Sequence, residues 1–461
     1  MTSLLNDWTE RGERLRRSDL VRSLGKVTRV LGLAVEAAGA TASVGDLCEI
    51  RSPRGRTLAE VVGFRDDRLV LMPLSDVAGI GPGSEVLATE RPPAIAVGPE
   101  LLGRVIDGLG RPIDARGPLG ATVARPIHRQ APPPALSRQR ISEPLETGVR
   151  AVDAALPIGR GQRIGIFSGS GVGKSTLLGS LAGQAAADVN VIALIGERGR
   201  EVREFVERDL GPAGLARSVV VVATADEPPL VRRQAAFVAA TVADYFRDAG
   251  RTVLFMMDSL TRLAMGQREI GLAAGEPPAT RGYPPSVFAL LPQLLERAGT
   301  TSHRGSITGI YSVLVEGDDL NDPVADTSRA ILDGHIILSR ELAAANHFPA
   351  IDILASVSRL TGDLLTREEY RAAAALREHL ATYRAAHDLI AIGAYVGGSD
   401  ARIDAALAAL DPVNDFLRQE RHERCPRRES LDRLQALFPI SQLAPTSRPG
   451  RALPAAAAVR G

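Results

Sequence analysis

Apolar and polar positions follow three different rhythms along the chain. In residues 1–24 the apolar side chains Leu4, Leu5, Trp8, Leu15, Leu20, Val21 and Leu24 fall at partly helical spacing among charges. That spacing predicts a short amphipathic helix, either a solvated lead-in or a docking segment. Residues 25–92 change period. Runs rich in β-branched residues, Val27–Val30, Leu47–Ile50, Ala59–Val62, Leu69–Met72 and Glu85–Leu87, are separated by Gly, Pro and Asp. Turn signals about every ten residues predict a small all-β barrel or sandwich. Arg91-Pro92-Pro93 marks its end, and the Pro-rich stretch 126–142 predicts a linker or extended arm.

From about residue 150 the two patterns alternate. Strand-like runs are Arg163–Phe167, Val189–Ile195, Ser218–Thr224, Thr252–Met257, Ser306–Val315 and His335–Leu338. Helix-compatible stretches lie between them, among them Ser175–Ala187, Gly199–Asp209, Arg232–Ala249 and Pro285–Ala298. Strands alternating with helices predict βαβ units and a mostly parallel sheet, here assigned to residues 93–360. Residues 361–440 read as a small helical domain with breaks at Gly393, Gly397-Gly398 and Pro412, and 441–461 as a disordered tail rich in Ala, Pro and Arg.

Composition narrows the classes. At 461 residues the chain exceeds one ordinary domain of roughly 150. Lys plus Arg is 55 and Asp plus Glu is 54, a balance unsuited to neutralising a nucleic-acid backbone. Aromatic residues are only 4%, which also argues against a base-stacking surface. The two cysteines, Cys48 and Cys425, exclude a disulfide framework and fit a reducing compartment. No apolar run reaches about 18 residues, and the first twenty residues lack the apolar stretch of a signal peptide. The expectation is a cytoplasmic protein that binds no nucleic acid. Only Lys26 and Lys174 are lysines; the other 53 basic residues are arginines. A lysine kept against that background marks a place where a compact point charge serves and a planar fork does not.

Lys174 lies in Ser168-Gly169-Ser170-Gly171-Val172-Gly173-Lys174-Ser175-Thr176, after an apolar strand and before a helix. That context is the signature of a phosphate-binding loop. The glycines let backbone N–H groups point inward, and the helix start adds a positive dipole end. Lys174 reaches the β- and γ-phosphates of a nucleotide such as ATP, and Ser175 ligates Mg²⁺. The strict pattern begins with Gly, and here Ser168 stands there. A second element, Val253–Asp258, is an apolar strand ending in a carboxylate, which sets Asp258 beside the loop to hold Mg²⁺ or its water. A third strand ends in Gly196-Glu197-Arg198, so Glu197, 23 residues beyond Lys174, sits at the same crevice as a base that orients water. The plainer reading of that charged cluster is a helix cap, which Glu201 fits better.

These residues carry a resemblance. LLGRVIDGLGRPID (101–114), GVRAVDAALPIGRGQRIGIFSGSGVGKS (148–175), IGERGREVREF (195–205) and the stretches 256–299 and 314–359 are similar to the rotary-type and type III export ATPases, most of all to their flagellar export branch. The resemblance spans roughly residues 25–440. It implies an α/β, RecA-like P-loop NTPase core with an N-terminal β-barrel and a C-terminal helical domain, assembled as a homohexamer. It implies that Glu197 is the catalytic carboxylate, with Arg198 beside it in the Gly-Glu-Arg motif. It implies that Arg359 is an arginine finger acting on a neighbour's γ-phosphate, and that Phe348 stacks on adenine where Tyr is frequent. The loop Glu316–Pro323 resembles one that faces a central stalk. The implied partners are a stator-like regulatory export protein at the N-terminal segment, a stalk-like coiled-coil protein in the ring, export-gate membrane proteins, and export substrates with their chaperones. The enzyme would then work in the cytoplasm at the inner-membrane face.

Three other readings compete. One is the ATPase of a virulence-type injectisome. Another is an ATP synthase catalytic subunit, against which the non-acidic segment Asp388–Tyr395 speaks. The third is a hexameric RNA translocase, which would want more aromatics than the single Phe64 of residues 25–92.

Overall fold

The computed structural model describes residues 23–89, 92–120, 122–128, 133–315, 317 and 319–439. The amphipathic segment expected at the N-terminus lies almost entirely outside the described residues, and the expected tail wholly so.

Six strands close into a barrel: β1 (Leu24–Leu31), β2 (Ala34–Ala38), β3 (Leu47–Ser52), β4 (Gly55–Arg65), β5 (Arg68–Pro73) and β6 (Glu85–Ala88). Their order around the barrel is β1-β2-β5-β4-β3-β6. Alternation explains the closure: inward positions Val27, Val35, Ile50, Val61, Leu71 and Val86 form one dry cluster. β2, AVEAA, was not expected, since it contains no run of β-branched residues.

β7 (Ala94–Val97) and β9 (Val123–Pro126) pair as a ribbon, while β8 (Val105–Asp107) edges the main sheet; β10 (Pro144–Leu145) pairs with β11 (Ile158–Gly159). The sheet continues with β12 (Arg163–Ser168), β13 (Val189–Glu197), β14 (Ser218–Thr224), β15 (Thr252–Asp258), β16 (Gly299–Thr300), β17 (Ser306–Leu314), β18 (Gly334–Leu338) and β19 (Ile351–Ser358). Its order is β19-β18-β12-β17-β15-β13-β14-β8, with β16 added on β17. From β18 to β8 all neighbours are parallel; β19 runs antiparallel to β18. Both faces are covered, as parallel sheets require. In β13, Val191, Ala193 and Ile195 face one core and Ile192 and Leu194 the other.

The helices that cover it are α1 (Arg150–Ala155), α2 (Lys174–Gln184), α3 (Gly199–Glu204), α4 (Gly211–Ala216), α5 (Pro229–Asp248), α6 (Leu260–Ala274), α7 (Pro285–Leu295), α8 (Pro323–Ile331) and α9 (Arg340–Ala344). The helix expected over 199–209 is in fact α3 followed by a π turn, Phe205–Leu210. α10 (Thr361–Leu364) leads into the C-terminal helices α11 (Arg367–Ala391), α12 (Ala401–Leu417) and α13 (Arg427–Leu437). α11 opens with a reciprocal cap between Thr366 and Glu369. The break expected at Pro412 is absent, because α12 runs through it. An interior proline costs about 3 kcal/mol, and burial of Val413, Phe416 and Leu417 just beyond it offsets that.

Two joints hold the parts together. Barrel residue Glu60, 4% exposed, is ion-paired with Arg233 of α5 and accepts a 3.0 Å bond from Gln234. Met72 and Leu74 of the barrel side pack beside it on Leu230, Val231 and Ile270. At the other end, buried Arg150 donates from Nε to the Phe416 carbonyl at 2.9 Å and pairs with Glu423. Gln419 accepts from the Arg150 N–H at 2.8 Å and donates to the Gly148 carbonyl at 2.7 Å. No helix among the described residues is long and apolar enough to cross a membrane.

Candidate active site

β12 ends at Ser168, and the chain turns through Gly169–Gly173 into α2. Gly171 and Gly173 have φ of +79° and +96°, the left-handed region where a side chain is strained. Gly173 is the N-cap of α2 and has no side chain to offer, so no side chain caps the first N–H groups of that helix. They are donors awaiting an anion. Val172, buried, pins the loop to the core, while Ser170 and Ser175 are exposed. Ser168 keeps a negative φ, so a glycine is not needed there. Its carbonyl accepts from Val315 N–H at 3.0 Å, and its hydroxyl is buried without a partner.

Lys174 Nζ lies 2.5 Å from Asp258 Oδ1. The pair forms because β15 ends in Asp258 on the same edge of the sheet as β12, with only β17 between them. Ser312 of β17 donates to the same oxygen at 2.6 Å. Glu197 ends β13, the next strand beyond β15. Burial pushes its carboxyl up to about 7, the charge of Asp258 adds to the shift, and Lys174 opposes it. The structure thus brings Lys174, Asp258 and Glu197 to one crevice. Arg198 is exposed, 3.5 Å from Glu201. Glu201 makes no capping bond to α3 and sits in its first turn.

A second cation stands here that the sequence did not single out. Gly196 has φ of +72°, and a Cβ there would lie 2.8 Å from the Arg262 side chain, so Arg262 packs against the residue before Glu197. Ser312 was missed as well. Both sit in segments whose pattern reads only as helix and buried strand.

Beside the loop a cavity of about 710 Å³ is lined by Gly173, Thr176, Gln184, Phe348, Arg418 and Gln419. Phe348 is 41% exposed, and a Cβ on Gly173 would touch its ring at 3.5 Å. An aromatic face open to a cavity at the start of α2 can stack on a planar base.

Arg359 is elsewhere. β18 runs parallel to β12, and β19 returns antiparallel, pairing Ser358 with Gly334. Arg359 therefore lies at the edge where β12 begins, exposed, its guanidinium donating to the Arg329 carbonyl at 3.2 Å.

Among the described residues no three His, Cys, Asp or Glu side chains cluster to hold a metal. Ser175 and Asp258 instead offer the sparse oxygen set that suits Mg²⁺, which takes its other ligands from phosphate and water.

Comparison with known proteins decides the family. The chain is 52% identical to the "Flagellum-specific ATP synthase" of Bacillus subtilis over 424 residues, 91% of this chain and 96% of that protein. Residues 148–358 match the description "ATP synthase alpha/beta family, nucleotide-binding domain". The chain belongs to the ATP synthase alpha/beta family. Residues 27–90 match that family's beta-barrel domain, and residues 365–436 match the "T3SS EscN ATPase C-terminal domain". The "Type 3 secretion system ATPase" of Xanthomonas euvesicatoria is 51% identical over 90% of this chain and 94% of its own. Among solved structures, the assembled ATPase EscN of the enteropathogenic E. coli type III secretion system superposes with a TM-score of 0.86. It is 45% identical and covers 90% of this chain and 99% of its own. The same ATPase in complex with its central stalk EscO gives 0.82 at 44% identity.

Proposed function

We propose that this chain is the Mg²⁺-dependent ATPase that energises flagellar type III protein export, working at the subunit interfaces of a homohexamer. The observation that carries the reading is the convergence of Lys174, Asp258 and Glu197 at the mouth of a helix whose N-terminus is left uncapped.

The chemistry follows from these groups. The N–H groups of the loop and of α2, with Lys174, bind the β- and γ-phosphates and lower their charge. Phe348 stacks on the adenine. Ser175 and Asp258 are the residues that would hold Mg²⁺, which would supply neutralisation of the phosphate charge. Glu197 accepts the hydrogen bond, and finally the proton, of the attacking water. Burial keeps it basic enough near neutral pH to do so. Arg198 lies next to Glu201 at the rim of this crevice and offers a cation to the departing phosphate. Arg359, facing away from its own site, supplies its charge to the neighbour's.

Around this ring we place a stalk-like coiled-coil protein in the centre and a stator-like regulatory protein on the N-terminal segment. Export-gate proteins of the inner membrane, with substrates and their chaperones, complete the set. The EscN–EscO complex supports a central stalk. The enzyme itself sits in the cytoplasm against the membrane. The near-equal identity to the Xanthomonas protein keeps an injectisome as the second reading. Export assays in strains lacking either ATPase test the choice: restored flagellar filaments support the flagellar assignment, and restored effector secretion alone overturns it.

A further inference from the structure

β17 reads SITGIYSVL, and all of it but the last residue is buried. A hydroxyl inside such a strand is costly unless it is hydrogen-bonded. Thr308 meets that demand by accepting from the Gly161 N–H at 2.8 Å. Ser312, fully buried, meets it differently: it donates to Asp258 Oδ1 at 2.6 Å. Register explains the reach. Ser312 pairs with Ile166 of the phosphate-loop strand, while Tyr311 pairs with Met257, one residue before the acid. The serine thus stands between the two strands that form the site, at their carboxyl edge.

Two donors share one oxygen. Lys174 and Ser312 both address Oδ1, and among the described residues Oδ2 has no hydrogen bond. The two donors differ in what nucleotide does to them. Lys174 is on a long flexible stem and is drawn to phosphate. Ser312 is short, buried and fixed to a central strand, so it keeps its place when the lysine leaves.

We propose that Ser312 is a positioning residue for the metal-binding acid. Its hydroxyl holds Asp258 Oδ1 after Lys174 has moved to the phosphates, and so keeps Oδ2 turned to the metal and its water. This rests on the ATPase reading above. Outer partners of metal-binding groups are typically worth ~10–100-fold in metal affinity.

The test separates metal from nucleotide. Binding of mant-ATP to the full-length protein is measured first in EDTA, then titrated with Mg²⁺. Ser312→Ala binds mant-ATP in EDTA as the wild type does and melts at the same temperature, but needs ~10–100-fold more Mg²⁺ to reach half of the metal-dependent gain. Ser312→Thr, which keeps the hydroxyl, restores the wild-type Mg²⁺ midpoint. Ser312→Cys, near in size and a weaker donor, shifts it as alanine does should alanine impair folding. An unchanged Mg²⁺ midpoint in both Ser312→Ala and Ser312→Cys overturns the proposal. So does a threonine variant as defective as alanine. If wild type binds mant-ATP no better than Lys174→Ala, the nucleotide reading itself fails, and the proposal with it.

Discussion

Lys174 and Arg359 stand at opposite edges of one sheet. Lys174 follows the end of β12, whereas Arg359 follows β19, whose last residue pairs beside the beginning of the parallel neighbour β18. At about 3.3 Å per residue, the length of β12 alone separates the two edges by roughly 20 Å. One chain cannot bring Arg359 to its own phosphates, but the proposed head-to-tail ring can bring it to a neighbour's. Arg359→Ala should therefore fold and bind nucleotide yet lose roughly 10³–10⁵ in turnover. Wild-type activity should rise steeply with protein concentration. Mixing Arg359→Ala with Glu197→Gln subunits should restore part of the activity, since some interfaces then join an intact finger to an intact carboxylate. Full activity of Arg359→Ala alone would refute the assignment.

Lys174→Ala removes the ammonium proposed to bind the phosphates, and hydrolysis should vanish in a steady-state phosphate-release assay. Lys174→Arg should also be poor. The planar guanidinium would pair with Asp258 bidentately instead of moving compactly to the phosphates. Near wild-type turnover in Lys174→Arg would break the link between lysine scarcity and function.

Glu197 provides the pH dependence. Its carboxyl ionises near 7 in the folded protein and at an ordinary value of 4.5 in the unfolded chain, because burial and then Asp258 disfavour the charge. With Glu197 as the proposed base the active form is the ionised one, so kcat/KM should fall on the acid side with an apparent midpoint near 7. Glu197→Gln should bind Mg-ATP and hydrolyse it very slowly.

The same residue makes a stability prediction of opposite sense. The folded state holds the Glu197 proton more tightly than the unfolded chain does. Its contribution is therefore fully favourable below pH 4.5 and is lost as pH rises through 7. Glu197→Gln removes that cost. In nucleotide-free protein its Tm should match wild type near pH 4.5 and exceed it at pH 8, by a free energy of at most roughly 3 kcal/mol. Equal melting temperatures at both pH values would contradict the burial of this carboxylate.

Phe348 offers a ring face to the cavity beside Gly173. Base stacking on an aromatic is worth about 1–3 kcal/mol. Phe348→Ala should raise KM for ATP about tenfold or more with little change in kcat, the mark of binding shared by ground and transition states. Phe348→Tyr should keep the wild-type KM.

The barrel was legible where inward positions are β-branched, as in Ile50 and Val61, and illegible at Ala34–Ala38. There small residues and a buried Glu36, paired with Arg65 and Arg68, erase the alternation. In the α/β part the phosphate loop, Asp258 and Glu197 were each readable because each ends an apolar strand. β19 was not, since its alternation is irregular and half of its residues are partly exposed. Ser312 and Arg262 carry no local signal at all, because their meaning lies in which strand or glycine they touch. Arg359 is the extreme case. Nothing about one arginine among 53 distinguishes it until a second subunit is imagined, and only family resemblance pointed to it.

The joint between Glu60 and α5 has a mechanical consequence. Arg233 and Gln234, which grip the barrel, lie on the first turns of α5, and the loop before α5 is tied back to the site through the bond from Ala225 N–H to the Glu197 carbonyl. A buried ion pair inside an apolar ring is stiff, because breaking it would strand a charge away from water. The barrel is thus tied, through α5, to the strand that ends in Glu197. At the other end Arg150 and Gln419 bond the C-terminal helices to the start of α1, and Phe416, Leu417 and Leu431 share one apolar core with Val152 and Leu178. A shift at Glu197 would travel through Ala225 and α5 to the barrel, along a path with an ion pair at its far end.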